Sequence, residues 1–411
     1  MTVERFTVQC CIAGGGPAGM MAGLLLARAG VEVLVAEKHK DFLRDFRGDT
    51  IHPSTLDILH ELKIADAFLK LPHQKTQSMG LHVGNEFLPL LDFGGLGLRY
   101  PFIAFIPQWD FLNFLAREAA RFAPFNLIME AEATDLIEEN GRIAGVQIDT
   151  PGGKIEIRAA LTIAADGRDS VLREKADLKI GKIGAPIDVL WFRLSRQPKD
   201  PTDFAGYVGA GEALVAINRG DYWQCGFIIA TGAADEIRQR GLAHFRREVE
   251  TVAPFLRGRA KELNSWDDVK LLTVEVDRLV QWYRPGFLCI GDAAHAMSPV
   301  GGIGINLAIQ DAVAASNIIA VPLREGEMTT EHLRAVQHRR ELPTRLTQMI
   351  QVLVQNRVLR SVVQEQDEVR APWPLRIITR WPWLRRKIAL FVARGARLFG
   401  LCAHLAHRRL H

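Results

Sequence analysis

The chain has 411 residues, of which 48% are hydrophobic and 24% charged, with a formal net charge of +4 at pH 7. These values exclude a disordered or fibrous chain, and the length suits two interleaved domains with an appendage. No CxxC pair is present, which predicts buried thiols in a reducing compartment, and no metal site is expected. The cysteines are Cys10, Cys11, Cys225, Cys289 and Cys402.

Uncharged residues run unbroken from Phe6 to Ala27, a length at which a hydropathy window would indicate a membrane span. A turn-forming segment, Gly14 to Pro17, lies in the middle of the run, so a strand followed by a helix explains both halves. Neither a basic segment nor a small-residue cleavage site is evident, so we expect no secretion signal and a cytoplasmic location.

The first motif is a glycine-rich loop between a strand and a helix. An apolar run from Val8 to Ala13 leads into the sequence GGGPAG at residues 14–19. In a βαβ unit Gly14 permits the tight turn, Gly16 leaves room for a pyrophosphate, and Gly19 lets the helix pack closely on the strand. This loop predicts a nucleotide-phosphate site.

An acidic residue follows at the expected distance. A second strand at residues 31–36 ends in Glu37, 23 residues after Gly14. A carboxylate at that point can accept hydrogen bonds from a ribose diol. The order of strand, loop, helix and acid therefore predicts a bound dinucleotide rather than a fortuitous turn.

Hydrophobic periodicity and turn residues predict the remaining elements. Helices are expected at residues 53–62, 109–122, 242–252 and 302–320, with mainly helical structure afterwards. An antiparallel meander is expected at residues 133–138, 143–149 and 154–158, with turns at Asn140-Gly141 and Gly152-Gly153. Parallel strands are expected at residues 161–165 and 287–290, and mostly strands between residues 180 and 276.

Two further motifs place an acid at the carboxyl end of a predicted strand, where open α/β sheets bind ligands. Asp166-Gly167 follows the strand at residues 161–165. Gly291-Asp292 follows the strand at residues 287–290 and leads through Pro299 into the sequence GGIGIN at residues 301–306. Both motifs predict contacts with the same ligand as the glycine-rich loop.

With these three motifs in order, the chain resembles the FAD-dependent aromatic-hydroxylase (p-hydroxybenzoate hydroxylase-like) family of flavoprotein monooxygenases. The resemblance implies an α/β fold with a Rossmann-like FAD-binding domain, an interleaved and mostly antiparallel β-sheet substrate domain, and a C-terminal helical region. The FAD-binding domain is expected at residues 1–75, 108–179 and 277–345. The substrate domain is expected at residues 76–107 and 180–276, and the basic helical region at residues 346–411.

The resemblance also assigns roles in binding a non-covalent FAD. Glu37 would hold the adenosine ribose and Arg47 the pyrophosphate. Gln108 and Asp292 would bind the ribityl chain, while Asp166 would lie near the pyrophosphate and the path of the pyridine nucleotide. The other expected contacts come from the loops of the three motifs: Gly14, Gly16, Pro17, Ala18, Gly19, Gly167, Gly291, Gly302, Ile303, Gly304, Ile305 and Asn306.

The implied chemistry requires a site for negative charge. Reduced flavin is negative around N1 and O2, and the helix that begins near Gly302 presents unpaired N–H groups and a favourable dipole there. The resemblance implies that O2 adds at the flavin C4a, giving a hydroperoxide that transfers OH, with Pro299 beside that carbon. His52 is the candidate general base for a phenol, whereas His295 belongs to the framework of its motif.

The expected reductant is NAD(P)H. Only one GxGxxG sequence is present, so no separate nicotinamide domain is expected and NAD(P)H must reach the flavin transiently. Lys38, Lys40 and Arg44 could bind a 2′-phosphate, which slightly favours NADPH.

The substrate pocket is expected to be apolar. Family members that act on aromatic acids hold the carboxylate with an Arg on a strand of the middle domain, but the matching strand, residues 213–218, offers no cation before Arg219. We therefore expect a neutral phenol or polycyclic aromatic substrate. Nearby aromatic residues could line the pocket or belong to the core: Trp191, Phe192, Tyr207, Tyr222 and Trp223.

Two other functions stay open at this point. A prenyl or lipid reductase, or a lipid-ring hydroxylase at a membrane surface, would explain a basic aromatic tail. A non-catalytic flavin-binding relative is the second alternative, and the intact residues 302–306 together with Asp292 argue against it. The Trp-x-Trp-x-Ile-Pro segment typical of flavin-dependent halogenases is absent from the sequence.

The C-terminal region, Ala371 to His411, contains nine Lys and Arg residues and no Asp or Glu. Its aromatic residues include Trp373, Trp381, Trp383, Phe391 and Phe399. Such a tail could dock on anionic lipid. A tail that packs its aromatic residues on the body is favoured, because prolines between the tryptophans interrupt any continuous amphipathic helix. No recognition module accompanies the charge, so no nucleic-acid partner is expected.

Overall fold

The computed structural model describes residues 4–43, 50–84, 86–185, 187–201, 205–209, 211–356 and 373–395. Its helices are α1 (Pro17–Arg28), α2 (Pro53–Glu61), α3 (Ala65–Phe68), α4 (Gln108–Ala119), α5 (Val171–Lys175), α6 (Ala234–Arg240), α7 (Leu242–Val252), α8 (Gly304–Glu325), α9 (Thr330–Val354), α10 (Trp373–Arg380) and α11 (Pro382–Arg394). Its strands are β1 (Glu4–Ala13), β2 (Val33–Glu37), β3 (Thr50–Ile51), β4 (Gln74–Thr76), β5 (Ser78–Val83), β6 (Glu86–Asp92), β7 (Ile103–Phe105), β8 (Phe125–Met129), β9 (Glu132–Glu139), β10 (Arg142–Thr150), β11 (Gly153–Ala164), β12 (Ile180–Lys182), β13 (Ile187–Ser195), β14 (Ala205–Gly209), β15 (Glu212–Asn218), β16 (Tyr222–Ala230), β17 (Lys270–Leu272), β18 (Asp277–Leu279), β19 (Tyr283–Arg284) and β20 (Phe287–Cys289).

The first sheet is built on parallel strands. Its order is β19-β20-β11-β1-β2-β8, and β10 and β9 branch from β11. β1 pairs in parallel with β2 and β11, and β2 pairs in parallel with β8. All five residues of β2 are buried, as expected for a parallel strand whose faces are both covered. The carboxyl ends of β1, β11 and β20 therefore lie side by side, which brings the three sequence motifs to one edge.

The predicted division of residues 154–165 into two strands is wrong. β11 runs without interruption from Gly153 to Ala164. Its first half pairs antiparallel with β10, and from Ile155 onward it also pairs in parallel with β1. No turn residue separates the two predicted strands, so the meander and the parallel sheet share one strand and form one sheet.

The second sheet has seven strands in the order β17-β13-β16-β15-β14-β5-β6. Alternation along β13 sends Phe192 to one face, where it packs with Trp223 and with Phe245 of α7. Trp191 points to the other face, where it packs against a cluster that includes Ile217 of β15 and Ala389 and Ala393 of α11. A separate three-stranded sheet, β3-β7-β4, adjoins this second face.

One helix among the described residues is long and apolar enough to cross a membrane by length and composition. It spans Val300–Glu325, and 78% of its most apolar window is buried inside the protein. This segment includes α8, which packs against α1 and α9. The burial identifies it as a core helix of the fold.

The C-terminal helices pack on the body through two buried alanines and through larger, partly buried side chains that include Leu390 and Val392. Ala389 and Ala393 of α11 are fully buried, in a cluster with Phe93 and Ile217. The prediction that the tail buries its aromatic residues is wrong for Trp381 and Trp383, which are 48% and 59% exposed. Small side chains allow α11 to approach the sheet closely, and the corner at Pro382 turns both tryptophans outward. Phe399 and the side chain of Trp373 lie outside the described residues.

Candidate functional site

The loops of the three motifs touch one another at the edge of the parallel sheet. Gly14 has a φ of +104°, and a Cβ there would lie 2.4 Å from the carbonyl oxygen of Ala165, the residue before Asp166. A Cβ on Gly291 would lie 3.0 Å from the Cβ of Ala18. Only glycine permits these approaches, so the backbone itself holds the three loops together.

The glycine-rich loop leaves an opening at one position. A Cβ on Gly19 would lie 1.9 Å from the carbonyl oxygen of Gly14, whereas no atom lies within 4 Å of a Cβ built on Gly16. Gly19 is therefore required by packing, and Gly16 faces open space. Among the described residues, no side chain caps the N-terminus of α1, which begins at Pro17. This open, N–H-lined cradle fits the pyrophosphate of a dinucleotide.

Glu37 also shapes the loop, a role that the sequence did not indicate. Its Oε2 accepts a hydrogen bond of 2.8 Å from the N–H of Gly15, and its Oε1 accepts one of 3.1 Å from the N–H of His39. The carboxylate therefore holds the loop in place beside the opening at Gly16. Lys38 and Lys40, adjacent to it, are exposed, and Arg44 and Arg47 lie outside the described residues.

Asp166 caps the short helix α5. Its Oδ1 accepts a hydrogen bond of 2.5 Å from the hydroxyl of Ser170, and its Oδ2 accepts one of 3.3 Å from the N–H of Leu172. Burial raises the pKa of Asp166, and these hydrogen bonds oppose the shift. Gly167, with a φ of +93°, has no atom within 4 Å of its Cβ position, so the turn after Asp166 is open in the same way as Gly16.

A buried ionic network anchors the loop that carries Gly291 and Asp292. Asp311 of α8 accepts hydrogen bonds from the N–H of Gly291 (3.1 Å), from Nε2 of His295 (2.6 Å) and from Nε of Arg340 on α9 (2.6 Å). Burial alone would raise the pKa of Asp311, but His295 and Arg340 lower it to about 2. His295 is thus part of the framework, and Asp292 beside it is half-buried.

The loop around Pro299 is fixed from both sides. Nε2 of Gln351 on α9 donates to the carbonyl oxygens of Ser298 and Val300, at 3.0 and 2.9 Å. Thr50 of β3 donates to the carbonyl oxygen of Gly302 at 2.6 Å. Sequence reasoning missed Gln351. The available signal was a row of polar residues at helical spacing that the structure buries on α9 and at its C-terminal cap, namely Thr344, Thr347, Gln348, Gln351 and Gln355.

Asn306 uses its side chain to join α8 to β3 and α2. Its Oδ1 accepts from the N–H of His52 and from the hydroxyl of Thr55, each at 2.8 Å, and its Nδ2 donates to the carbonyl oxygen of Thr50 at 3.0 Å. The side-chain amide of Asn306 is therefore engaged in contacts within the protein, so a ligand would contact the backbone of Asn306. Among the described residues, no side chain caps the N-terminus of α8, so the first N–H groups of that helix can receive a negative charge.

His52 bridges this loop and the C-terminal helix α11. Its ring is buried, and Nδ1 lies 3.1 Å from the carbonyl oxygen of Val392. Burial lowers the pKa of His52 to about 4, despite the nearby carbonyl groups of Val392 and Gly301. A neutral imidazole of such low basicity does not favour the role of general base. The contact with Val392 gives His52 a bridging role that the sequence did not indicate.

The second face of the seven-stranded sheet meets the Pro299 loop and α11. Val300 packs beside the sheet, and Trp191 and Ile217 pack in the cluster that contains Ala389 and Ala393. Among the described residues, Nε1 of Trp191 is buried and has no hydrogen-bond partner. These residues form an apolar wall next to the loop, and the unpaired N–H of Trp191 lies in it.

The other aromatic candidates lie elsewhere. Phe192, Tyr207 and Trp223 belong to the core on the opposite face of the sheet, and the guanidinium of Arg193 lies 5.0 Å from the ring centroid of Tyr222. Trp191 is thus the one of the five that reaches the wall. Just beyond the end of β15, Nε of Arg219 donates to Gln224 at 3.1 Å, and burial lowers the pKa of Arg219 to about 10. Gln108 is the half-buried first residue of α4.

The three-motif loop cluster on a parallel sheet, with an antiparallel sheet beside it, fits a dinucleotide-binding protein, and the comparisons with known proteins identify the family. Residues 7–350 match the family model described as FAD binding domain. The chain is 30% identical over 384 residues to 6-methylpretetramide 4-monooxygenase of Streptomyces rimosus, covering 92% of this chain and 91% of that protein. It is also 24% identical over 349 residues to digeranylgeranylglycerophospholipid reductase of Thermoplasma acidophilum, covering 80% and 82%.

The fold is similar to solved structures as well. p-Nitrophenol 4-monooxygenase PnpA of Pseudomonas putida DLL-E4 superimposes with a TM-score of 0.77 at 18% identity, covering 96% of this chain and 100% of that one. The chain therefore belongs to the FAD-dependent aromatic-hydroxylase family of flavoprotein monooxygenases. The predicted fold class, family and FAD cofactor are confirmed.

Proposed function

We propose that this protein hydroxylates a neutral phenolic or polycyclic aromatic compound, with FAD bound non-covalently and with NAD(P)H and O2 as co-substrates. The observation that carries the proposal is the open space at Gly16 beside positions that tolerate no Cβ at all. A loop built so closely around one opening fits a resident dinucleotide. The similarity to a monooxygenase named for a polycyclic substrate supports the substrate class.

The proposed FAD contacts are those expected from the sequence. The cradle of Gly14 to Gly19 would take the pyrophosphate, Glu37 the ribose, and Asp292 the ribityl chain. The N-terminus of α8, after Gly302, would face the part of the ring that becomes negative on reduction. Bound flavin supplies the redox chemistry: electrons from NAD(P)H reduce O2, one oxygen atom enters the substrate and the other leaves as water.

The chain's own residues then orient the substrate and exclude water. The wall of Trp191, Ile217 and α11 offers an aromatic ring an apolar surface, and the unpaired Nε1–H of Trp191 could donate to a substrate oxygen. Arg219 lies beyond the strand end and is engaged with Gln224, which favours a neutral compound over an aromatic acid. Pro299 borders the same loop, and Lys38 and Lys40 are exposed near Glu37 for a 2′-phosphate.

A reductase acting on a prenyl or lipid double bond is the second candidate. It is favoured by the similarity to digeranylgeranylglycerophospholipid reductase and by the exposed tryptophans of the C-terminal region. The two functions differ in their use of oxygen, because only a hydroxylase consumes O2 and places it in the product.

The test uses FAD-loaded full-length protein with NADPH or NADH and a panel of neutral phenols, polycyclic aromatics and prenyl lipids. Substrate-dependent oxidation of NAD(P)H, coupled to incorporation of one atom of isotopically labelled O2 into an aromatic product, is expected. Gly16→Val is the control, because it should lower both the flavin content and the turnover. Anaerobic saturation of a prenyl lipid, with no labelled aromatic product, would replace the proposal by the reductase.

A further inference from the structure

The corner between α10 and α11 displays apolar side chains that the fold does not bury. Ile377, Trp381 and Trp383 are 39%, 48% and 59% exposed. The two indole rings lie next to each other, with centroids 5.9 Å apart and planes inclined by 31°. Tryptophan is usually buried for most of its surface, so an adjacent exposed pair indicates a surface with a partner.

The same corner is positively charged. Residues 373–395 contain six Lys and Arg residues and no Asp or Glu. Among the described residues, no carboxylate forms an ion pair with Arg380, Lys387 or Arg394. Arg386 instead donates to the carbonyl oxygen of Gly95 at 3.2 Å. Among the described residues, the charge of these three side chains therefore has no acidic partner.

These side chains can act together without disturbing the packing of α11. Trp383, Lys387 and Arg394 are four and seven residues apart in α11, a spacing that puts them on one face of a helix. Ala389 and Ala393, which hold α11 against the body, are fully buried on a different face. The helix thus has a packed face and a displayed face.

We propose that the surface formed by Ile377, Arg380, Trp381, Trp383, Lys387 and Arg394 binds the headgroup region of an anionic lipid bilayer. Indole rings prefer the boundary between headgroups and acyl chains, where one edge is apolar and the N–H stays wet. Lys and Arg that form no ion pair among the described residues complement the negative surface of such a membrane. Short apolar insertion and net positive charge together give reversible, peripheral binding. This binding is independent of which reaction the flavin performs.

The test is sedimentation of the FAD-loaded full-length protein with phosphatidylcholine vesicles, with and without phosphatidylglycerol. Binding is expected only to vesicles that contain phosphatidylglycerol, and it should weaken at high salt, because screening shortens the reach of surface charge. The double variants Trp381→Ala/Trp383→Ala and Lys387→Glu/Arg394→Glu should each lower binding tenfold or more, with unchanged flavin content and melting temperature.

Two matched controls separate this surface from general effects. Leu342→Ala/Met349→Ala removes two apolar side chains of α9 that are 60% and 61% exposed, and Lys70→Glu/Lys261→Glu reverses two exposed charges elsewhere. Both controls should bind vesicles like the parent protein. Equal binding to neutral vesicles, equal losses in the controls, or vesicle binding that is unchanged by both corner variants would overturn the proposal. If the Trp381→Ala/Trp383→Ala variant loses a dimer seen by light scattering and the parent does not bind vesicles, the surface serves a second copy instead.

Discussion

The adenosine end and the flavin end of the proposed FAD site differ in how far apart in sequence their contacting residues lie. At the adenosine end, Gly15 and Glu37 are joined across 22 residues of sequence. At the flavin end, Thr50 is bonded to Gly302 across 252 residues, and His52 to Val392 across 340. One end can form within a single βαβ unit, whereas the other exists only when α8, α9 and α11 have all docked. Variants of the flavin end should therefore lower global stability, while the adenosine end allows ligand binding to be changed alone.

The largest effect is expected from Asp311→Asn. The substitution leaves Arg340 buried beside a neutral amide, and breaking a buried ion pair in this way costs about 3–5 kcal/mol of the free energy of unfolding. Urea denaturation of the holoenzyme should show the loss, and flavin affinity should fall with it because the amide keeps only one acceptor oxygen for the donors of Gly291, His295 and Arg340.

Asp200→Asn is the matched control in the other sheet. Asp200 is buried and paired with Arg259, and its Oδ2 accepts from Nε1 of Trp223 at 2.8 Å. A similar loss of stability is expected there, but with unchanged flavin affinity in the protein that remains folded. Equal losses of flavin in both variants would contradict a special role for the Asp311 network.

The pH dependence of stability gives a second measure of the same network. Because the folded pKa of Asp311 is about 2, below the ordinary value of 3.8, its stabilisation is present above about pH 4 and is lost as the pH falls towards 2. A shift of that size corresponds to about 2–3 kcal/mol. The difference in unfolding free energy between the parent and Asp311→Asn should shrink across this window. A difference that is constant from pH 6 to pH 2 would disprove the linkage.

The adenosine end should separate folding from binding. Gly16→Val adds a side chain in open space, so the apoprotein should keep its melting temperature while FAD affinity falls at least tenfold, about 1.4 kcal/mol. Gly19→Ala is the contrasting variant, because its Cβ would lie 1.9 Å from the carbonyl oxygen of Gly14. It should lower the melting temperature of the apoprotein. Full FAD occupancy in Gly16→Val, measured by flavin absorbance, would contradict the proposal that the pyrophosphate lies beside Gly16.

The same difference in range explains what the sequence could predict. The first loop could be predicted from sequence alone, because its residues form one local pattern: Gly14, Gly16, Gly19 and Glu37. The bridge from His52 to Val392 joins residues that no local pattern connects. Trp191 and Phe192 are adjacent in β13 and therefore face opposite ways, but the sequence did not show which face is core, because the docking of α7 and α11 decides it.

Two other predictions, the division of β11 and the burial of the tail tryptophans, failed because both depend on packing that sequence does not show. The sequence predicts one strand in the meander and a second in the parallel sheet, whereas the single strand β11 pairs with both neighbours, and pairing is a property of those neighbours. The tryptophans of the tail were assigned to the core because apolar area is usually buried. Ala389 and Ala393 took that place, since close helix-to-sheet packing selects small side chains. Composition showed that the tail is basic and rich in aromatic residues. It did not show which of its side chains are buried.

The smallest expected effect comes from Thr50→Val, which removes one hydroxyl at the flavin end and keeps the shape of the side chain. The hydrogen bond of 2.6 Å to the carbonyl oxygen of Gly302 would be lost, at a cost of about 0.5–1.5 kcal/mol in the free energy of unfolding. Thr162→Val is the matched control, because the hydroxyl of Thr162 is buried without a partner among the described residues. Its removal should leave stability unchanged or raise it. If Thr50 positions the Gly302 loop, Thr50→Val should also oxidise more NAD(P)H per molecule of product than the parent, while Thr162→Val should keep the parent ratio. Identical ratios in both variants would limit Thr50 to a structural contact.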